Sequence, residues 1–178
     1  YLEKNGALCL NMTQWPVDVS DMDRRVLNTP TGMAARMAAL EAVGLTQGAD
    51  VEIDRGSYKI KVTRYTLTDA AKPFERQKEV ELLGFGGTTK ETRTDLCWGR
   101  KVLDQVVKWE GPMKFGDYQR ASVTYHYRIV EAAEWAKKPE FLAAFPHVGQ
   151  MAANAGKKEQ QHVVKLTSVG WEAKGLDN

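Results

Sequence analysis

A chain of 178 residues is long enough for one domain with its own core and short for two. Its 43% hydrophobic and 27% charged residues are those of an ordinary globular protein, and no apolar run approaches the roughly 20 residues that span a bilayer. The formal charge of +2, with Lys and Arg interleaved among acids, leaves no basic stripe and argues against a nucleic-acid partner.

The chain begins at Tyr1 rather than Met, which reads as a processed or trimmed product with any targeting segment out of view. Leu8, Leu10 and Met12 alternate around Cys9, which suits a short strand or an extended segment tied to a sheet. Trp15-Pro16 and the acidic DVSDMD after it read as loop or a single helical turn. The first clear helix follows. Thr29 is the candidate N-cap, Pro30 the first helical residue, and Met33, Met37 and Leu40 the buried stripe, with Gly44 as the stop. A Met stripe can form an adaptable binding surface, but core packing is the commoner role and is the reading taken here.

From Val51 to Asp69 the pattern turns to strands, with a hairpin turn at Asp54-Arg55-Gly56. Tyr58, Ile60 and Val62 alternate, then the phase slips to Tyr65 and Leu67, as a β-bulge would cause. Ala70 to Thr94 is the least regular part, a charged loop with one short strand near Val80 to Phe85. GFGGTTK within it lacks the GxxxxGK[ST] spacing of a phosphate loop and reads as a polar connection.

Cys97 to Ala136 organises the rest. CWGRKVLDQVVKWEG and YQRASVTYHYRIV are strands of one hairpin, joined through Gly111 to Asp117. Ala121, Val123, Tyr125, Tyr127 and Ile129 fall on a core face, while Ser122, Thr124, His126 and Arg128 fall on a polar one. A helix is expected from Glu131 to Lys138, a restart at Pro139 and a stop at Pro146. Gln160 to Trp171 reads as the last strand, with Val164 and Leu166 in the core. The whole is an α+β fold of one domain, residues 1–178. It is a curved antiparallel sheet packed on the Pro30–Val43 helix, with a second short helix after the central hairpin, an outline like that of cystatin-like folds.

Two cysteines with no ligand-spaced partner are expected to form a Cys9–Cys97 disulfide, placing the chain in an oxidising, exported compartment. His126, His147 and His162 have no HxH, HExxH or CxxC neighbour, so no metal site is expected. Cys97 with His126 would be a nucleophile pair only if the thiol were free. No GxSxG elbow occurs, and Asp21 with Asp23 or Glu131 with Glu134 reads as solvated surface. No catalytic residue and no cofactor is therefore assigned. The five Trp residues sit at element starts or ends, where most serve as core lids. Phe85, Met113, Phe115 and Tyr118 lie in or beside glycine-containing loops and are the candidate anchors for a protein partner.

CWGRKVLDQVVKW, VTYHYRIVEAAEWAKKPEFLAAFPHV and VVKLTSVGW, in that order, resemble a pattern in uncharacterised Gram-negative periplasmic lipoproteins. The resemblance covers Cys97 to Trp171. It implies export and lipid attachment through a cysteine upstream of Tyr1, and carries no catalytic content. Three functions stay open: a non-catalytic envelope binding module for a protein or cell-wall partner, an immunity-type inhibitor that blocks an enzyme by loop insertion, and a small hydrolase without a recognisable motif.

Overall fold

The computed structural model describes residues 1–54, 56, 58–84 and 87–173. The chain opens with α1 (Leu2–Asn5), β1 (Ala7–Cys9), β2 (Val17–Ser20), α2 (Asp21–Arg25) and α3 (Met33–Ala42). β3 (Thr46–Asp54), β4 (Lys59–Leu67), a three-ten helix at Asp69–Phe74, β5 (Glu75–Gly84) and the long β6 (Gly87–Phe115) follow. β7 (Tyr118–Val130), a three-ten turn at Glu134–Lys137, α4 (Pro139–Ala144), α5 (Pro146–Asn154), β8 (Gln160–Thr167) and β9 (Gly170–Glu172) complete it. This is an α+β protein with mostly antiparallel strands. Among the described residues no helix is long and apolar enough to cross a membrane.

Two compact units divide the chain. One comprises Cys9–Trp98 and Ala133–Gly149. Its three-stranded sheet has the order β2-β4-β3. The β3–β4 register runs without interruption from Thr46↔Leu67 to Asp54↔Lys59, so the expected bulge is absent. Val62 and Tyr65 are 5% and 6% exposed although they lie on opposite faces of β4. The change of phase marks which face is covered, not an inserted residue.

Met37 and Leu40 of α3 are fully buried, as their spacing predicts, whereas Met33, the first residue of the expected stripe, is 39% exposed at the helix start. The helix begins at Met33 with Gly32 as N-cap, not at Pro30. Thr29-Pro30-Thr31-Gly32 is instead a turn closed by Gly32 N–H to Thr29 C=O, with Pro at the second position and Gly at the fourth. At the other end Gly44 takes φ +78°, while Gly44 N–H bonds Glu41 C=O and Leu45 N–H bonds Leu40 C=O. That pair of bonds is a Schellman motif, which a left-handed glycine makes inexpensive. α2 is held by a capping box in which Ser20 and Asp23 each serve the other's backbone N–H. Those bonds from Ser20 hold the Asp23 carboxyl below its ordinary range.

The core of this unit is aromatic. Phe141 and Phe145 stack with centroids 4.6 Å apart, Trp135 meets Phe141 edge-on at 5.0 Å, and Phe74 meets Trp135 at 5.4 Å. The expected helix over Glu131 to Lys138 is only a three-ten turn, because Pro139 forces Lys138 to an extended ψ of 134°. Pro139 then starts α4, and Pro146 starts α5 instead of ending a helix. The region read as a charged loop is the ribbon of β5 with the first part of β6, paired from Glu75↔Leu96 to Gly84↔Gly87. It shows no apolar alternation because both faces meet solvent, and Lys90–Glu79 at 2.6 Å is among the cross-strand contacts that replace it.

The N-terminal segment is tied to β6 at three successive positions. Cys9 is disulfide-bonded to Cys97, as the cysteine count predicts. Leu10 N–H bonds Leu96 C=O, and Met12 N–H bonds the Asp95 carboxylate at 3.1 Å, which also accepts Leu96 N–H at 2.9 Å.

The other unit comprises Tyr1–Leu8, Gly99–Ala132 and the chain from Gln150 on. Residues 99–115 of β6, then β7, β8 and β9, pair in that order as neighbours, all antiparallel. Lys101 N–H bonds Gly6 C=O, and Tyr127 Oη donates to Met151 C=O at 2.8 Å.

Removing the Cys9–Cys97 bond, which closes a separation of 88 residues, is expected to cost about 4–5 kcal/mol in the chain-entropy model. Urea melts of the native chain and of a Cys9→Ala/Cys97→Ala variant test it, and equal midpoints would refute it. A second expectation concerns pH. Burial, then the charge of Arg36, holds His147 below the ordinary imidazole value. The unfolded chain therefore binds a proton that the folded chain refuses, so stability is lost as pH falls below about 6.5. The drop in melting temperature from neutral to mildly acidic pH should shrink in His147→Gln.

Candidate functional site

The β6–β7 hairpin is not a plain ladder. Its register shifts between Leu103 and Gln105, between Val106 and Lys108, and between Glu110 and Met113. Asp104 and Val107 are extra residues on β6, and Gly111 and Pro112 together face the single residue Ala121. Each of the first two bulges lengthens a step from two residues to three. Leu103, Val106 and Trp109 consequently stand opposite Tyr127, Tyr125 and Val123, all on one face.

The inner strand of that face is covered and the outer one is not. Tyr125 and Tyr127 are 6% and 2% exposed. Tyr125 Oη lies 3.2 Å from His162 Nδ1, and the Tyr1 ring meets the His162 ring edge-on at 4.6 Å. Lys101 Nζ lies 4.6 Å from the centroid of Tyr127, and burial pushes its ammonium below the ordinary lysine value. Leu103, Val106 and Trp109, by contrast, are 50%, 47% and 62% exposed. Among the described residues no strand pairs the outer edge of residues 102–115. Three bulges and Pro112, which has no N–H to give, protect that edge against strand addition. What it offers a partner is a ridge of side chains.

The anchors named from the sequence fall in different places. Met113 is exposed but stands opposite Arg120, on the polar face. Tyr118 is half-buried, with Arg120 and Lys165 cations 5.0 and 4.3 Å from its ring centroid. Phe115 pairs with Tyr118 through its backbone; its side chain, like Phe85 as a whole, lies outside the described residues. Trp98 and Trp135 are core lids as expected, whereas Trp109 and Trp171 are exposed. Leu166 is exposed and Val164 half-buried, so neither is the core position expected of it. Thr124, expected on the solvent side, is 6% exposed. It is a short side chain on a central strand between Lys108 and Gln161, whose longer chains flank it.

Cys97 has no thiol to offer His126, being bonded to Cys9. Among the described residues no three His, Cys, Asp or Glu side chains gather as a metal site. A cleft of about 410 Å³ lies on the β2-β4-β3 sheet, where Arg24 donates to Thr63 Oγ1 at 2.7 Å and Thr63 donates to Asp50 at 2.9 Å. Asp21, Glu52 and Lys61 complete its rim. It can hold a charged group by ion pairing, and its described lining carries the carboxylates of Asp21, Asp50 and Glu52 but no His, Cys or Ser. No family model matches the chain, and neither does any curated protein or solved structure.

The two sides of the hairpin should respond differently to truncation. Tyr125→Ala is expected to cost about 3–5 kcal/mol, as for a large buried aromatic, and Trp109→Ala to stay within about 0.5 kcal/mol. Denaturant melts of both variants decide it. A large cost at Trp109 would mean that the ridge is part of the core.

Proposed function

We propose that this chain is a non-catalytic binding module of the cell envelope, exported and held together by its disulfide. The observation that carries the reading is the exposed Leu103–Val106–Trp109 ridge on an edge strand whose bulges deny strand pairing. Apolar side chains left in water at three successive positions cost solvation, and such patches mark interaction surfaces on single chains. Trp is among the residue types that most often anchor a partner, and Trp109 is the most exposed of the three. Met113 and Tyr118, on the other face near the tip of the same hairpin, stay as further candidate anchors. Export is supported by the Cys9–Cys97 bond, since disulfides persist in oxidising compartments such as the periplasm. A lipid anchor upstream of Tyr1 and a cystatin-like wrapping of sheet on helix belong to the same reading.

The test is a photo-cross-linking amino acid placed at position 109, with the exposed Glu140 as control position. In cells exporting the full chain, position 109 should give a discrete adduct that position 140 does not. No adduct at 109, or the same adducts at both positions, would reject the ridge as a recognition surface.

A further inference from the structure

The outer edge of β3 is built differently from that of β6. Thr68 N–H bonds Leu45 C=O, one step beyond the Thr46↔Leu67 pair, so the odd-numbered residues of β3 turn their backbone toward β4. The even-numbered ones turn theirs away, and Gly48 N–H uses that direction to reach the Glu41 carboxylate at 2.9 Å. Beyond Gly48, the outward N–H and C=O groups of Asp50 and Glu52 and the N–H of Asp54 have no strand beside them among the described residues. Edges are commonly guarded by proline, lysine or a bulge, and none of these interrupts Thr46–Asp54.

Side chains decide what can pair there. Asp50, Glu52 and Asp54 are exposed and share one face, while Val51 and Ile53 are half-buried on the other. The acids are not without partners. Asp50 accepts the Thr63 hydroxyl at 2.9 Å, Asp54 accepts Gly56 N–H at 2.8 Å, and Lys61 and Lys59 stand across from Glu52 and Asp54. What is open is the backbone, and the acids select among the strands that can take it. β4 shows the fit on the inner side, with Thr63, Lys61 and Lys59 against the acids and Val62 and Ile60 against Val51 and Ile53. A second copy fits badly, because antiparallel pairing centred on the open residues sets acid against acid.

We propose that β3 takes up an extended segment of another protein as a fourth, antiparallel strand, with Lys or Arg opposite Asp50 and Glu52 and an aliphatic residue between them. The open ladder lies in the unit that does not contain the Leu103–Val106–Trp109 ridge, so the two surfaces stand or fall separately.

The probe is a fluorescent synthetic peptide with the sequence of Lys59–Leu67, which carries that alternation, titrated into the full chain. Anisotropy reads its affinity and amide hydrogen exchange reads its place. In the free chain the Asp50 and Glu52 amides should exchange fast and those of Val51 and Ile53 slowly. Bound peptide should slow Asp50 and Glu52 by roughly tenfold or more. Replacing both peptide lysines by glutamate should weaken binding roughly tenfold. N-methylation of the peptide at alternate residues should abolish binding in one phase and spare it in the other. Glu52→Pro, which removes an outward N–H and no bond to β4, should weaken binding roughly fivefold. No saturable binding, binding without slowed exchange at Asp50 and Glu52, or equal binding by the glutamate peptide or by both methylation phases would overturn the inference. Loss of protection at Val51 and Ile53 would overturn it too, since the peptide would then be replacing β4. So would slow exchange at Asp50 and Glu52 that appears with chain concentration alone, which gives the edge to a second copy.

Discussion

From Asp95 to Cys97 the longest strand is fastened to the N-terminal segment by three different kinds of bond in succession. A covalent bond fixes Cys9, a backbone hydrogen bond fixes Leu10, and a carboxylate fixes Met12. Asp95 is 1% exposed; both backbone donors reach its Oδ1, while Oδ2 is buried without a hydrogen-bond partner. Arg76 stands across from Asp95 in the ladder, yet its guanidinium bonds the carbonyls of Pro73 and Glu75. The carboxylate is therefore used as a backbone acceptor, not as half of an ion pair.

Beyond Cys97, β6 departs from the regular ladder repeatedly. Three interruptions in the pairing with β7 each serve the same end, since an inserted residue twists the edge and spoils it as a template for another strand. They also re-aim side chains. Without the extra residues Asp104 and Val107, the apolar positions of β6 would alternate between faces. With them, Leu103, Val106 and Trp109 line up over the row Tyr127, Tyr125 and Val123. One device closes the edge to backbone pairing and leaves its side chains exposed.

The unit built on α3 and α4 has the opposite character. Its aromatic stack is closed, with Phe141 and Phe145 at 0% exposure, and its polar cleft is lined by side chains already engaged with one another, as Arg24, Thr63 and Asp50 show. The packing of this unit is closed, whereas the hairpin of the other unit leaves apolar side chains exposed.

Periodicity in the sequence was enough to identify the elements whose burial is one-sided. The Met37–Leu40 stripe, the Tyr125–Tyr127 face and the Cys9–Cys97 pairing were legible, because each follows from a spacing or a count that local chemistry dictates. The β5–β6 ribbon was not, since a strand exposed on both faces carries no alternation to read. Nor was the ridge. Leu103, Val106 and Trp109 recur every third residue, which suggests a helical face to any period argument and becomes a strand face only when bulges are inserted against β7. The same holds for Thr124 and Leu166, whose burial depends on what flanks them across the sheet. Local sequence determined which residues could face a core; pairing register and the covering of each face, which are long-range properties, decided which of them do.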